Sequence, residues 1–142
     1  MTALDLEVVA EKVAEVERHL ARVAARLPAE PGALTPMSDA SDAVILHLWQ
    51  AVQIVIDLAV AACVRLGLGA PTNYGDAFQR LAGAGILERA LAERLVRAAG
   101  FRNVVAHAYE GLDMARVHAA AKDGPRDLLA FLRIARDIVV PQ

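Results

Sequence analysis

Hydrophobic residues recur along most of the chain at alternating steps of three and four, which is the spacing of an amphipathic helix. The first such run is formed by Leu6, Val9, Val13, Val16, Leu20, Val23 and Leu27. These positions share one side of a helix, and the charged residues between them face the other side. Pro28, Pro31, Gly32 and Pro36 follow the run. They predict that the first helix ends there, in a connector of about ten residues.

The second run begins around Ser38 to Asp42, where several side chains could cap a helix. Its apolar positions cover most of the helix circumference: Val44, Ile45, Leu48, Ala51, Val52, Val55, Leu58, Ala59, Ala62 and Leu66. A helix of this kind is typical of the centre of a bundle. The same run contains His47, Gln50, Gln53 and Asp57, which would be costly in lipid. The pattern therefore predicts a buried helix rather than a membrane span, and we expect no membrane partner.

The rest of the chain predicts shorter helices. Asn73 with Asp76 could cap a third helix that runs through Phe78 and Leu81. A fourth helix is marked by Leu87, Leu91, Leu95 and Ala98, with a candidate bend at Gly100. A further helix fits Asp113 to Lys122, and the last helix begins at Gly124-Pro125. No stretch alternates with period two for long enough to form a sheet. We therefore predict an all-α, up-and-down bundle of about five to six helices, as one domain over residues 1–142.

Composition and charge narrow the possible functions. Hydrophobic residues make up 56% of the 142 residues and charged residues 23%, which indicates a compact globule. The net charge of −2 lacks the positive excess of proteins that grip duplex nucleic acid, so any RNA contact should be confined to a local groove. The single Cys63 cannot form an internal disulfide. The N-terminus lacks the basic start and apolar run of an export signal, so we expect a cytoplasmic protein.

The histidines are the first candidates for chemistry. His19 occupies an exposed-looking face and His118 lies in a helix of small residues, so surface or space-filling roles suit both. His47 shares a stripe with Asp57 on the second helix, which predicts a polar seam bonded within the bundle. No cluster of side chains has the spacing of a metal site. We therefore expect no metal and no cofactor.

His107 stands among other polar residues, in the segment FRNVVAHAY over residues 101–109. Asn103 and His107 are four residues apart and share a helix face. Arg102, however, lies about 140° around the helix from His107. A bend near Gly100, the long arginine side chain or a second subunit would have to bring these two groups together. Considered alone, such a cluster is more often a polar helix end than an active site.

This segment resembles the Arg-x4-His-x-Tyr motif of the HepT family within the HEPN superfamily. Arg102, His107 and Tyr109 stand at those intervals, and Asn103 directly after the arginine also fits. Three further stretches are similar to the family's second helix and middle region: AVQIVIDLA over 51–59, PTNYGDAF over 71–78 and LAGAGIL over 81–87. The resemblance therefore covers nearly the full length of the chain.

The resemblance implies a metal-independent endoribonuclease, the toxin of a type VII-like toxin–antitoxin system. It implies a homodimer of HEPN type, in which the motifs of two subunits line one cleft and RNA is cut. His107 would act as general acid or base, because imidazole exchanges protons near neutral pH. Arg102 would bind the scissile phosphate and stabilise its charge. Asn103 would orient either group, and we assign Gln53 and Asp57 a supporting role.

Tyr109 has a separate role by resemblance. In the family, the tyrosine at this place receives AMP from a partner, an MntA-like minimal nucleotidyltransferase antitoxin, and the toxin is neutralised. Without the family, Tyr109 would be a half-buried residue whose hydroxyl caps a turn. Two alternatives to the toxin remain: a non-catalytic nucleotide- or substrate-binding HEPN subunit of a nucleotidyltransferase complex, and a scaffolding bundle whose seams only mediate dimerisation.

Overall fold

The structure is a computed structural model, and it describes residues 4–140. It contains five α-helices: α1 (Leu6–Arg26), α2 (Asp39–Arg65), α3 (Tyr74–Gly83), α4 (Arg89–Ala108) and α5 (Met114–Val139). Single 3-10 turns stand at Pro31–Ala33 and Tyr109–Gly111. No strand occurs between residues 4 and 140. The predicted all-α bundle is therefore confirmed.

Short polar side chains cap the starts of four of the five helices, namely α1, α2, α3 and α5. Asp5 accepts a hydrogen bond from the backbone N–H of Val8 at 2.8 Å at the start of α1. Ser38 and Ser41 form a reciprocal capping box at the start of α2, and Asn73 caps α3. Each cap satisfies a backbone N–H that has no partner within its helix. Because a cap acts within four residues of its helix, these starts could be predicted from the sequence.

Helix α2 lies at the centre and contacts each of the other four helices. It packs antiparallel to α1, since Arg65 at its end donates to the carbonyl of Leu4 at 2.8 Å. The buried core is one continuous cluster drawn from all five helices. Its largest members include Phe78 of α3 and Phe131 of α5, whose rings meet edge to face with centroids 5.7 Å apart.

The C-terminal part differs from the sequence prediction. Two helices were predicted, one over Asp113 to Lys122 and one from Gly124-Pro125, but α5 continues without a break and has Pro125 in its interior. The proline removes one backbone donor, yet Ala121 and Leu128 on either side are both buried against the core. Burial of one continuous apolar face outweighs the lost hydrogen bond. Helix α4 continues through Gly100, so the chain does not leave helical geometry at the predicted bend.

His19 is a further correction. We expected it on an exposed face, but it is buried, and its Nδ1 atom lies 3.0 Å from Nδ1 of His47. The two imidazoles form a polar contact between α1 and α2, which confirms a bonded polar side chain at His47. Asp57, predicted in the same stripe, bonds to Gln53 instead. His118 is also buried, and its Nε2 lies 2.8 Å from the carbonyl oxygen of Pro28.

Helix α2 is also long and apolar enough to cross a membrane by length and composition. Half of its most apolar window is buried inside the bundle. A central helix of a helical bundle passes the same test, so this single helix is weak evidence for a membrane span.

Candidate active site

One face of α2 contacts both the first residue of the motif, Arg102 on α4, and the last, Tyr109 just after α4. Asp42, Trp49 and Gln53 lie within about 40° of one another when viewed along the helix axis. Gln53 contacts Arg102, and Asp42 contacts Tyr109 farther along the chain. The two helices therefore run antiparallel here. This face of α2 sets the orientation of the first and last residues of the motif.

The guanidinium of Arg102 is tied to α2 through two hydrogen bonds in series. Its Nε donates to Oε1 of Gln53 at 2.7 Å, and Nε2 of Gln53 donates to Oδ1 of Asp57 at 2.9 Å. The two ends of the amide thus have different partners, an arginine donor and a carboxylate acceptor. This arrangement fixes which way the amide points, because the reverse orientation would set two donors against each other. The sequence placed Gln53 and Asp57 as supports, and the structure brings both to Arg102.

Two aromatic rings lie against the same guanidinium. Its central carbon is 5.6 Å from the ring centroid of Trp49 and 5.2 Å from that of Tyr74. Both distances are within the range of a cation–π interaction. The two rings lie against the guanidinium and Gln53 accepts from Nε. The two Nη atoms are therefore the donors that remain for other partners. Nη1 reaches Oδ1 of Asn103 at 3.2 Å, and Asn103 is exposed.

His107 lies in the last turn of α4 and is exposed. Within residues 4–140, no hydrogen bond or ion pair joins it to Arg102 or to another side chain. Because α4 is an uninterrupted helix, the separation of about 140° around its axis persists. The structure thus joins Arg102, Gln53, Asp57 and Asn103 through hydrogen bonds, and His107 is not part of that network.

Tyr109 is the first residue after α4, where Ala108 leaves helical geometry at φ −145° and ψ 41°. Its hydroxyl donates to Oδ1 of Asp42 at 2.5 Å. The hydrogen bond to this carboxylate, together with partial burial and the negative charge of Asp42, raises the pKa of Tyr109 to about 12. The phenol is thus held in its protonated form, with its oxygen near the surface.

A cavity of about 890 Å³ lies between α4 and α5. Phe101 and Val104 of α4 and Leu112 form part of its apolar lining, and Arg97 and Arg116 are among its charged residues. Neither Arg102 nor His107 lines it. The sequence did not predict this cavity, because its walls depend on how α2, α4 and α5 pack against one another.

No group of three or more His, Cys, Asp or Glu side chains could hold a metal ion in the part of the chain that the structure describes. The free Cys63 is buried on α2, and its Sγ lies 3.4 Å from the carbonyl of Ala77. Burial raises the pKa of this thiol, which favours an inert packing role.

Three residues of this site were missed in the sequence: Asp42, Trp49 and Tyr74. Asp42 was considered only as part of a helix start, and Tyr74 only within a stretch of family resemblance. A usable signal existed for two of them, since Asp42 and Trp49 precede Gln53 by eleven and four residues and so share its helix face. Tyr74 had no such signal, because it approaches Arg102 from another helix.

Comparison with known proteins agrees with this architecture. The family model described as "Ribonuclease HepT-like" matches residues 16–135. No curated protein sequence matches the chain. A chain of a toxin–antitoxin crystal structure with AMP-PNP is similar at 23% identity and TM-score 0.82, over 92% of this chain and 98% of that one. A tri-AMPylated Shewanella oneidensis HEPN toxin in complex with MNT antitoxin is similar at 24% identity and TM-score 0.82, over 92% and 97% of the two chains.

These structural likenesses extend over nearly the whole of each chain and show that the fold is that of HEPN toxins. The family match includes Arg102, His107 and Tyr109 and most of the helical core. The chain therefore belongs to the HepT-like ribonuclease family.

Proposed function

We propose that this protein is the toxin of a toxin–antitoxin pair, a metal-independent endoribonuclease that uses Arg102 and His107. The observation that carries the proposal is the fixed guanidinium of Arg102. Gln53 and two aromatic rings hold it, and its Nη edge is left for a ligand. Membership of a ribonuclease family supports RNA as the substrate. The similarity to chains from toxin–antitoxin structures supports the toxin role.

Arg102 binds the scissile phosphate in this proposal. A planar guanidinium can donate two parallel hydrogen bonds to phosphate oxygens and stabilise the charge that grows on them during cleavage. Because its position is already fixed by α2 and α3, little reorganisation is needed when RNA binds. Asn103, which accepts from Nη1, helps to orient that edge.

His107 transfers protons. An imidazole can take the proton of the ribose 2′-hydroxyl as that oxygen attacks the adjacent phosphorus, or give one to the leaving 5′-oxygen. Its exposure leaves room for an RNA chain to approach. Neither step needs a metal ion, so the proposed reaction is independent of divalent cations.

The active unit is a homodimer in this proposal. Arg102 and His107 of one chain lie about 140° apart around a continuous helix, and the pairing of two copies would gather both groups around one phosphodiester. A two-fold axis near α4 would place the motifs of both chains in a shared cleft. Each copy is a single domain over residues 1–142, and we expect the dimer to act in the cytoplasm.

An MntA-like nucleotidyltransferase neutralises the toxin by adding AMP to Tyr109. The similar Shewanella oneidensis HEPN toxin is tri-AMPylated and bound to MNT antitoxin, which supports this kind of modification. Tyr109 is two residues from His107, and its oxygen is near the surface. A phosphodiester-linked nucleotide there would add bulk and negative charge at the entrance for RNA.

The test is cleavage of RNA by purified protein in the presence of EDTA. We expect cleavage by the wild type, and a loss of at least about 100-fold for Arg102→Ala and for His107→Ala. Arg133→Ala, at an exposed arginine of α5, is the matched control and should cleave as the wild type does. A folded wild-type protein that binds nucleotides but leaves RNA intact would favour the non-catalytic subunit. Activity lost only on chelation would contradict a metal-independent mechanism.

A further inference from the structure

Among the described residues, the shortest hydrogen bond between side chains joins Tyr109 to Asp42. The two residues are 67 positions apart, and the contact is exposed to solvent. Asp42 is an acidic residue in the first turn of α2. The contact therefore pairs a phenol with a negatively charged acceptor at a place that another protein can reach.

A neutral phenol is a poor nucleophile until its proton is removed. The hydrogen bond to the carboxylate of Asp42 raises the pKa of Tyr109 to about 12, so the phenol is protonated at neutral pH. Attack by preformed phenolate is therefore negligible. Efficient modification needs a base that takes the proton as the new bond forms, and such a base must lie within hydrogen-bonding distance of the hydroxyl.

We propose that Asp42 is the general base for the transfer of AMP to Tyr109, a catalytic residue that the modified protein itself supplies. The inference rests on the proposed function, because it assumes that a nucleotidyltransferase delivers ATP to this tyrosine. It concerns a carboxylate of this chain and not one of the partner.

Oη of Tyr109 attacks the α-phosphorus of ATP, and an oxygen–phosphorus bond forms. The bond from that phosphorus to the oxygen bridging to the β-phosphate breaks, and pyrophosphate leaves with the electron pair. The phenol proton moves to Oδ1 of Asp42, the atom that already accepts its hydrogen bond.

Asp42→Asn tests the inference, with Asp39→Asn as the matched control. Asp39 is exposed in the same first turn of α2. The full-length protein, its nucleotidyltransferase, ATP and Mg²⁺ are mixed, and AMP incorporation is followed by intact mass. We expect a rate at least about 100-fold lower for Asp42→Asn and a wild-type rate for Asp39→Asn. Asp42→Glu, which keeps a carboxylate, should recover part of the rate.

A second measurement separates a catalytic carboxylate from a structural contact. Ultraviolet absorbance reports phenol ionisation, and the chain has two tyrosines, so Tyr109→Phe identifies the signal of Tyr109. Asp42→Asn should lower the pKa of Tyr109 towards the ordinary range of a phenol. Thermal unfolding of each variant verifies that it is folded.

Three results would overturn the inference. If the phenol pKa falls in Asp42→Asn but the modification rate is unchanged, Asp42 is only a hydrogen-bond partner. If the rate rises, the contact restrains the tyrosine instead of activating it. If the wild type gains no AMP at Tyr109 although it cleaves RNA, the proposed neutralisation fails and the inference fails with it, while the ribonuclease proposal stands.

Discussion

Oε1 of Gln53 accepts a hydrogen bond from Nε of Arg102 at 2.7 Å, across the contact between α2 and α4. This hydrogen bond uses Nε, the guanidinium nitrogen that is bonded to the aliphatic part of the Arg102 side chain. The Nη edge, which suits a phosphate, is thereby turned outward. A residue 49 positions away in the sequence thus sets the orientation of the proposed phosphate ligand.

Gln53→Leu should reduce RNA cleavage by about ten-fold or more. The substitution removes the acceptor for Arg102, and a hydrogen bond to a charged group is worth about 1.5–3 kcal/mol. Gln53→Glu, which keeps an acceptor for Nε, should retain more activity. Single-turnover cleavage rates measure the effect, and Gln50→Leu on the same helix is the control. Equal rates for Gln53→Leu and wild type would show that Arg102 needs no acceptor at Nε.

Tyr74→Phe should leave cleavage nearly unchanged, whereas Tyr74→Leu should lower it about two- to thirty-fold. Both substitutions remove the hydroxyl, but only leucine removes the ring that lies 5.2 Å from the guanidinium carbon of Arg102. A cation–π contact of this kind contributes about 0.5–2 kcal/mol. The ratio of the cleavage rates of Tyr74→Phe and Tyr74→Leu measures the contribution of the aromatic ring alone. Equal losses in both variants would instead implicate the hydroxyl.

The free energy of unfolding should fall as the pH drops from about 7 towards 5. Burial lowers the pKa of both His19 and His47, and the positive charge of Arg22 lowers both further. Arg18 also lowers the pKa of His19, whereas the negative charge of Glu15 raises it. The two imidazoles also repel each other when charged, since their Nδ1 atoms are 3.0 Å apart.

The sign follows from proton uptake. Below about pH 6.5 these histidines bind protons in the unfolded chain more readily than in the folded chain. The unfolded state is therefore favoured, and the free energy of unfolding falls. Urea unfolding at pH 7.5 and 5.0 measures the change. His47→Gln should show a smaller loss on acidification, because one of the two depressed groups is gone. An identical loss in that variant would exclude the pair as its source.

Pro125→Ala should raise the free energy of unfolding by about 1–3 kcal/mol. Pro125 lies within α5 and has no N–H to donate along the helix, and alanine would restore the missing hydrogen bond. Gly124→Ala is a useful comparison, since a Cβ there meets no atom within 4 Å. It should add only about 0.5–1 kcal/mol from helix propensity. A destabilised Pro125→Ala would show that the proline suits a local break in the helix.

Local patterns were sufficient for most of the helices. The apolar seams predicted α1, α2 and α4, and the capping residues predicted the starts of α2 and α3, because period and capping act within a few residues. The same local rules failed at Gly124-Pro125, where they indicated a new helix. There the burial of residues before and after the proline keeps α5 continuous. Tertiary packing overrode the local preference.

In the candidate site, the motif residues were predicted from the sequence, whereas several of their contact partners were not. Arg102, His107 and Tyr109 were predicted from the resemblance of one short segment to the motif of the HepT family, and their roles remain predictions. Their partners depend on which faces of α2 and α3 meet α4, and no local pattern encodes that choice. Trp49 and Tyr74 beside Arg102, Asp42 at Tyr109 and the contact of His19 with His47 became evident only from the packed bundle.

The sequence by itself determined a helical protein with a motif at one helix end, because helix period and motif spacing are properties of neighbouring residues. Only the tertiary structure decided that Gln53 orients Arg102 and that Asp42 bonds to Tyr109. Those contacts join residues 49 and 67 positions apart, and they exist because the helices pack antiparallel with one particular face of α2 towards α4.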